Sequence, residues 1–265
     1  MRRQAIVLLA VALGLAAPAT AGPAPSAELI RRYPAPEAHQ GVAVDARSFY
    51  AVANSAIVRY DKKTGKKQAQ WAGDPKRFRH LNSCAVIGPE LVCANSNFPQ
   101  APMRSSVEMF EPTRLVHLRS IPLGEQPGSL TWVDRHDGAW WAGFANYDGH
   151  GGVPGRDHRA TRLVRFDDRW RPVQSWTFPD SVLERMKPSS ASGGAWGADG
   201  RLYVTGHDRP ELYVLAVPPA GGVLVLQGTI ALPFGGQAFA FDRSAPGVLF
   251  GVSRQDQAVL SVRLP

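Results

Sequence analysis

Short apolar runs of four to eight residues recur along the chain, separated by turns rich in Gly, Pro, Asp and Asn. Such runs read as strands. The segment 192–217, SGGAWGADGRLYVTGHDRPELYVLAV, shows the pattern most plainly. It predicts strands at Ala195-Trp196, at 201–205 and at 211–217. Asp199-Gly200 is a tight hairpin signal, because Gly accepts a positive φ and Asp tolerates one. Residues 206–210 form a polar loop between the second and third strands. The order then repeats elsewhere: a Gly/Ala-rich strand, an Asp or turn, an aromatic strand, a polar loop, an aliphatic strand.

Aligned by this grammar, the chain divides into five units. The first is HQGVAVD, SFYAVANS, AIVRYD and KKQAQW, and the second is HLNSCAVI, ELVCANSN, SSVEMFE and LVHLRSIPL. The third is PGSLTWVD, GAWWAGFAN, ATRLVRFD and VQSWTFP, with a Gly-rich insertion, 146–159, between its second and third strands. The fourth adds VLVLQGTIALP to the segment above, and the fifth has only GGQAFAFD, VLFGVS and AVLSVRLP. ELIRRY, residues 28–33, is an unassigned strand that supplies the missing fourth member. About 48 residues per unit suits a small propeller. The reading is therefore an all-β, five-bladed β-propeller with the N-terminal strand closing the last blade, which removes open sheet edges. A β-sandwich is the alternative, and six blades need more strands than the chain supplies. Residues 182–186 read as one short helical turn.

The N-terminus changes the setting. Met1-Arg2-Arg3, an apolar run over 5–17 and Ala19-Thr20-Ala21 form a secretory signal peptide, 1–21, cleaved after Ala21. Residues 22–265 are then a single propeller domain, exported to the periplasm or secreted, with no membrane span and read as a monomer. The formal charge of +8 falls to about +6 without the leader. The basic residues are scattered, with no aromatic-interleaved stripe for nucleic acid. Cys84 and Cys93 are the two cysteines. They flank Gly88-Pro89 symmetrically, so a hairpin sets them opposite one another and predicts a disulfide in an oxidising compartment.

In a propeller, the loops leading into each innermost strand and those joining the second and third strands share one face. The first set brings His39-Gln40, His80 with Asn82, Gln126, Ser190 to Ser192, and Gln237. The second brings Asn54, Asn95, Asn146 to Asp148, His207-Asp208-Arg209, and Arg254. Together they predict a polar cup at the mouth of the axis, the default place for a ligand. Ligand-binding candidates are His39, Gln40, Asn54, His80, Asn82, Asn95, Asp148, Gln237 and Arg254. For the Asn residues, turn chemistry competes with ligand contact. His117 and His136 are read on outer strands or turns. No cofactor is expected: nucleophile elbow, P-loop and dinucleotide fingerprints are all missing from the sequence. No metal is expected either, since HxH and HExxH spacings are missing too. The insertion, with Asp148, His150, Asp157 and His158, is a candidate lid.

Arg201 to Val217 also resembles the strand motif of the plant- and bacterial-type glutaminyl-peptide cyclotransferases. In that family Thr-Gly-Lys precedes Trp-Pro and an aromatic strand. Here Thr205-Gly206 is followed by His207, and Arg209-Pro210 stands at the Trp-Pro place. Tyr33-Pro34 and Gln40-Gly41 are similar to the family's opening Tyr-Pro and Gln-Gly, and GQAFAFD to a propeller inner strand. The family's Glu has no counterpart; Asn54 lies near that place. The resemblance implies a five-bladed propeller and, for activity, His207 as acid/base oriented by Asp208.

Three readings follow: a module binding a small polar molecule or peptide, a cyclotransferase-like enzyme, and an envelope scaffold for another protein. The fold hosts all three.

Overall fold

The computed structural model describes residues 24–265, so the signal peptide expected over 1–21 lies outside the described residues. Five small, mainly antiparallel sheets form five blades. Strand β1, Glu28–Pro34, comes first in the chain but belongs to the last blade. Blade 1 is β2 Gly41–Val44, β3 Ser48–Ala53, β4 Ala56–Asp61 and β5 Lys67–Ala72. Blade 2 is β6 His80–Ile87, β7 Glu90–Ser96, β8 Arg104–Glu111 and β9 Val116–Glu125. Blade 3 is β10 Ser129–His136, β11 Ala139–Ala145, β12 Arg162–Phe166 and β13 Pro172–Thr177, followed by helix α1, Asp180–Met186. Blade 4 is β14 Gly193–Trp196, β15 Leu202–Thr205, β16 Glu211–Ala216 and, beyond the two-residue β17 at Gly222–Val223, β18 Val225–Ala231. Blade 5 is β19 Ala240–Phe241, β20 Val248–Ser253 and β21 Ala258–Arg263, with β1 paired outside β21.

The apolar runs follow from burial on both faces. On β3, Phe49 and Ala51 pack with Tyr33 and Phe250 of blade 5, while Tyr50 and Val52 pack with Leu81 and Cys84 of blade 2. Alternate side chains thus point to opposite neighbours, and both neighbours are protein. Five such clusters, one between each pair of successive blades and one between the fifth and the first, close the ring. The expected five-bladed, all-β architecture is the one observed.

β1 closes the ring as predicted, pairing with β21 from Glu28↔Arg263 to Pro34↔Ala258. Its lead-in goes further: Ala27 N–H donates to Ala231 O at 2.8 Å, and Ala231 N–H to Pro25 O at 2.8 Å. The N-terminal segment therefore straps the outer edge of blade 4 as well. Cys84 and Cys93 are direct cross-strand partners and form the disulfide.

Three expectations need correction. VLVLQ is not one continuous strand: Gly222-Val223 pairs with β13 of blade 3, and only Val225 onward joins blade 4. Fully buried Leu224 is the break, drawn into the core between the two blades. The turn before β15 spans Gly197 to Arg201 rather than two residues, with Gly200 alone at positive φ, +74°. Finally, His136 ends an innermost strand, stacked at 4.0 Å on Trp196.

Blade packing needs glycine where an indole is wedged in. Trp132 is fully buried between β11 and β14. A Cβ at Gly143 would fall 2.1 Å from its Nε1, and one at Gly194 2.3 Å from its Cε2.

Candidate functional site at the mouth of the axis

Most of the predicted rim residues meet, and all five blades contribute. From blade 1, Gln40 Nε2 donates to Asn54 Oδ1 at 2.8 Å. Asn54 Oδ1 also lies 3.1 Å from Nδ1 of His80, the first residue of blade 2. The way the Asn54 and Asn82 amides face sets which His80 nitrogen carries the proton. His80 Nε2 lies 3.3 Å from the Asn82 amide. The alternative orientation of that amide donates to Ser192 O at 3.2 Å and Thr131 O at 3.3 Å, on blades 4 and 3. Asn82 is thus poised between an imidazole and two carbonyls.

Blades 4 and 5 supply the charged half. Arg254, in the turn between β20 and β21, donates from Nε to His39 O at 2.6 Å and from Nη2 to Gln237 Oε1 at 3.0 Å. Its Nη1 lies 3.3 Å from His207 Nε2. His207 Nδ1 is 2.6 Å from Asp208 Oδ1, and Gln237 Nε2 donates to His207 O at 3.3 Å. Thr205 Oγ1 anchors the same corner on Gln237 O at 2.6 Å. A cleft of about 480 Å³ opens beside this group, lined by His207, Asp208, Gln237 and Arg254.

The electrostatics follow from burial and like charge. Desolvation, then the charges of Arg254 and His207, push His80 down to about 4. It is therefore neutral at physiological pH. Burial also lowers the Arg254 guanidinium from its ordinary value, with Asp208 opposing. The cleft offers the Arg254 cation, the His207 imidazole and the Gln237 amide, with neutral His80 within reach of the Arg254 charge, which suits an anionic or carbonyl-bearing group.

Two predicted site residues stand elsewhere. Asn95 is 5% exposed and donates to Arg77 O and Ser106 Oγ, at 3.3 and 3.1 Å. It braces the backbone N–H of His80, 3.4 Å away, instead of facing the opening. Asp148 is turned into the blade 3 insertion, where its Oδ1 lies 2.7 Å from His158 Nδ1. Burial acts to raise the Asp148 carboxyl, but the hydrogen bonds from His158 outweigh it and hold it below its usual value. Among other rim residues, Asn146 is fully buried and ties Pro127 O to Ala160 O, while Gln126 turns back to Leu123 O.

One contributor was missed in the sequence. Phe98 packs its ring 5.0 Å from His80 and 4.9 Å from Tyr147, forming an aromatic shelf beside the opening. Its only signal was an aromatic side chain in the polar loop NSNFP after β7.

No family model and no curated protein matches the chain. Solved structures do. The PQQ-bound form of aldose sugar dehydrogenase from Streptomyces coelicolor superposes with a TM-score of 0.55 at 11% identity, covering 92% of this chain and 100% of that one. A gluconolactonase from Xanthomonas campestris gives 0.51 at 14% identity, covering 84% of this chain and 71% of that one. At these identities the likeness is one of fold: the chain is a β-propeller.

Proposed function

We propose that this chain is an exported, monomeric binding propeller whose axis mouth takes a small polar ligand carrying an anionic group, with Arg254 reading the charge. One observation carries the reading. The Arg254 guanidinium bonds His39 O, His207 Nε2 and Gln237 Oε1, none of them a carboxylate. It is thus held in place at the opening without a carboxylate bonded to it, the condition for binding a ligand's anion. Gln40, Asn54 and Asn82 fix orientation, and His80 stays neutral as a donor or acceptor. The Cys84–Cys93 disulfide supports a location outside the cytoplasm.

The test is calorimetry with a panel of small carboxylates and their uncharged amides, on wild type and Arg254→Gln. The expected result is binding of a carboxylate, weakened about tenfold or more in the variant, as suits a charged hydrogen bond of ~1.5–3 kcal/mol. Binding that ignores charge and Arg254 contradicts it.

A second reading rests on the His207–Asp208 pair. Asp208 accepts from Nδ1, which leaves Nε2 as the imidazole lone pair directed to the Arg254 side of the opening. That is the arrangement of an oriented acid/base, as the likeness to glutaminyl-peptide cyclotransferases implies. Mass spectrometry of peptides beginning with Gln decides it. Loss of ammonia with wild type and none with His207→Ala supports cyclisation, and no loss with either removes the enzyme reading.

A further inference from the structure

Residues 146–161 join β11 to β12, and α1 packs against them. Within this insertion, the His158 side chain is only 2% exposed. Asp148 Oδ1 lies 2.7 Å from His158 Nδ1 and accepts from the His158 backbone N–H at 3.2 Å. This pair of bonds fixes both the ring and its tautomer: Nδ1–H donates to the carboxylate, so Nε2 bears the lone pair. Nε2 is buried and has no hydrogen-bond partner. A buried polar atom left in this way destabilises the fold unless a ligand satisfies it.

The group facing Nε2 is an acceptor too. Glu184 Oε1, on α1, lies 3.8 Å from it. Asp148, Asp157 and His158 each offer a ligand atom within 4.8 Å of the others. Arg159 currently spans the two outer carboxylates, 2.9 Å from Asp157 Oδ2 and 3.1 Å from Glu184 Oε1. Its side chain is 58% exposed, so it is free to swing outward.

We propose that His158 Nε2 and Glu184 bind a divalent transition cation of the Zn²⁺ type, with Asp148 orienting the imidazole and water completing the coordination. Metal–nitrogen and metal–oxygen bonds of about 2.0–2.2 Å span the His158–Glu184 gap. A carboxylate on the far nitrogen is the usual partner of a metal-bound histidine. Mixed imidazole and carboxylate donors favour Zn²⁺ over Ca²⁺, which takes more oxygens. Arg159 holds the Glu184 carboxylate until an ion displaces it. The bound ion ties the insertion to α1, and so fixes one wall of blade 3. Sequence spacing conceals the site because Glu184 comes from a separate element.

The experiment is calorimetric titration of chelator-treated full mature chain with ZnCl₂, and with CaCl₂ for comparison. Glu184→Gln and Arg159→Ala change exposed side chains and leave the fold intact. The proposal expects one Zn²⁺ per chain, weakened by at least about tenfold in Glu184→Gln. It expects tighter binding in Arg159→Ala, where the competing cation is gone, and unchanged binding in His207→Ala. In ¹⁵N-imidazole spectra, Zn²⁺ should move the His158 Nε2 signal. Absence of stoichiometric Zn²⁺ binding overturns the proposal, as does indifference to Glu184→Gln or to Arg159→Ala. Loss of binding in His207→Ala overturns it too, because that places the ion at the axis mouth.

Discussion

Arg254 Nη1 lies 3.3 Å from His207 Nε2, so the guanidinium covers the nitrogen that His207 would use as a base. Asp208 holds the opposite nitrogen at 2.6 Å. The two proposed roles, Arg254 as anion reader and His207 as base, therefore compete for one contact. An anion that draws Arg254 away also uncovers His207. Arg254→Ala is expected to abolish carboxylate binding while leaving the fold intact, measured by calorimetry beside far-UV circular dichroism. Undiminished binding in that variant would remove Arg254 from the site.

His80 makes stability depend on pH. Its folded value, about 4, lies below the ordinary 6.5. Between these values the unfolded chain holds a proton that the folded chain does not. Stability therefore rises with pH through the window and is lost as pH falls from about 6.5 to about 4, by roughly 1–3 kcal/mol. Guanidinium denaturation at pH 4.5 and 7 checks this. His80→Gln should lose less stability on acidification than wild type, and an equal loss contradicts the assignment.

The disulfide closes a short loop across one hairpin, between fully cross-paired residues of β6 and β7. The chain-entropy account assigns it about 2.5–3 kcal/mol. Cys84→Ala/Cys93→Ala should lower the unfolding free energy by at least this amount, since both side chains also fill the core between blades 1 and 2. A loss well under 1 kcal/mol would contradict that account.

Gly194 gives a sharper packing test. Its added Cβ would fall 2.3 Å from the Trp132 indole, itself pressed against Gly143. Gly194→Ala should destabilise by about 1–3 kcal/mol and shift the tryptophan fluorescence. An unchanged midpoint and spectrum would show that the indole has room to move.

How much was legible depended on what each feature needed. The blades are readable because their middle strands are buried on two faces, so SFYAVA and VLFGVS stand out as runs bounded by turns. Closure by ELIRRY followed from counting strands. The split of VLVLQ was not readable, since Val223 and Val225 look alike in sequence and only Leu224 is claimed by the core. At the site, position on the rim was legible and orientation was not. Asn54 and Asn95 hold equivalent positions in Ala-Asn-Ser segments, but Asn54 follows β3 and reaches His80's ring, whereas Asn95 lies within β7 and supports its backbone. Asp148 reads as a rim ligand in the sequence because the partner that turns it away, His158, lies ten residues further on. Phe98 gave no polar signal at all.

The central claim is that Arg254 receives an anionic ligand at the axis mouth. The most direct measurement follows the Arg254 Nε–H signal, assigned by its loss in Arg254→Gln, in a ¹⁵N NMR titration with the carboxylates of the calorimetric panel. The account predicts that this signal shifts saturably with one carboxylate and stays fixed with its uncharged amide. A ligand that saturates the protein while the Arg254 signal stays in place would contradict it.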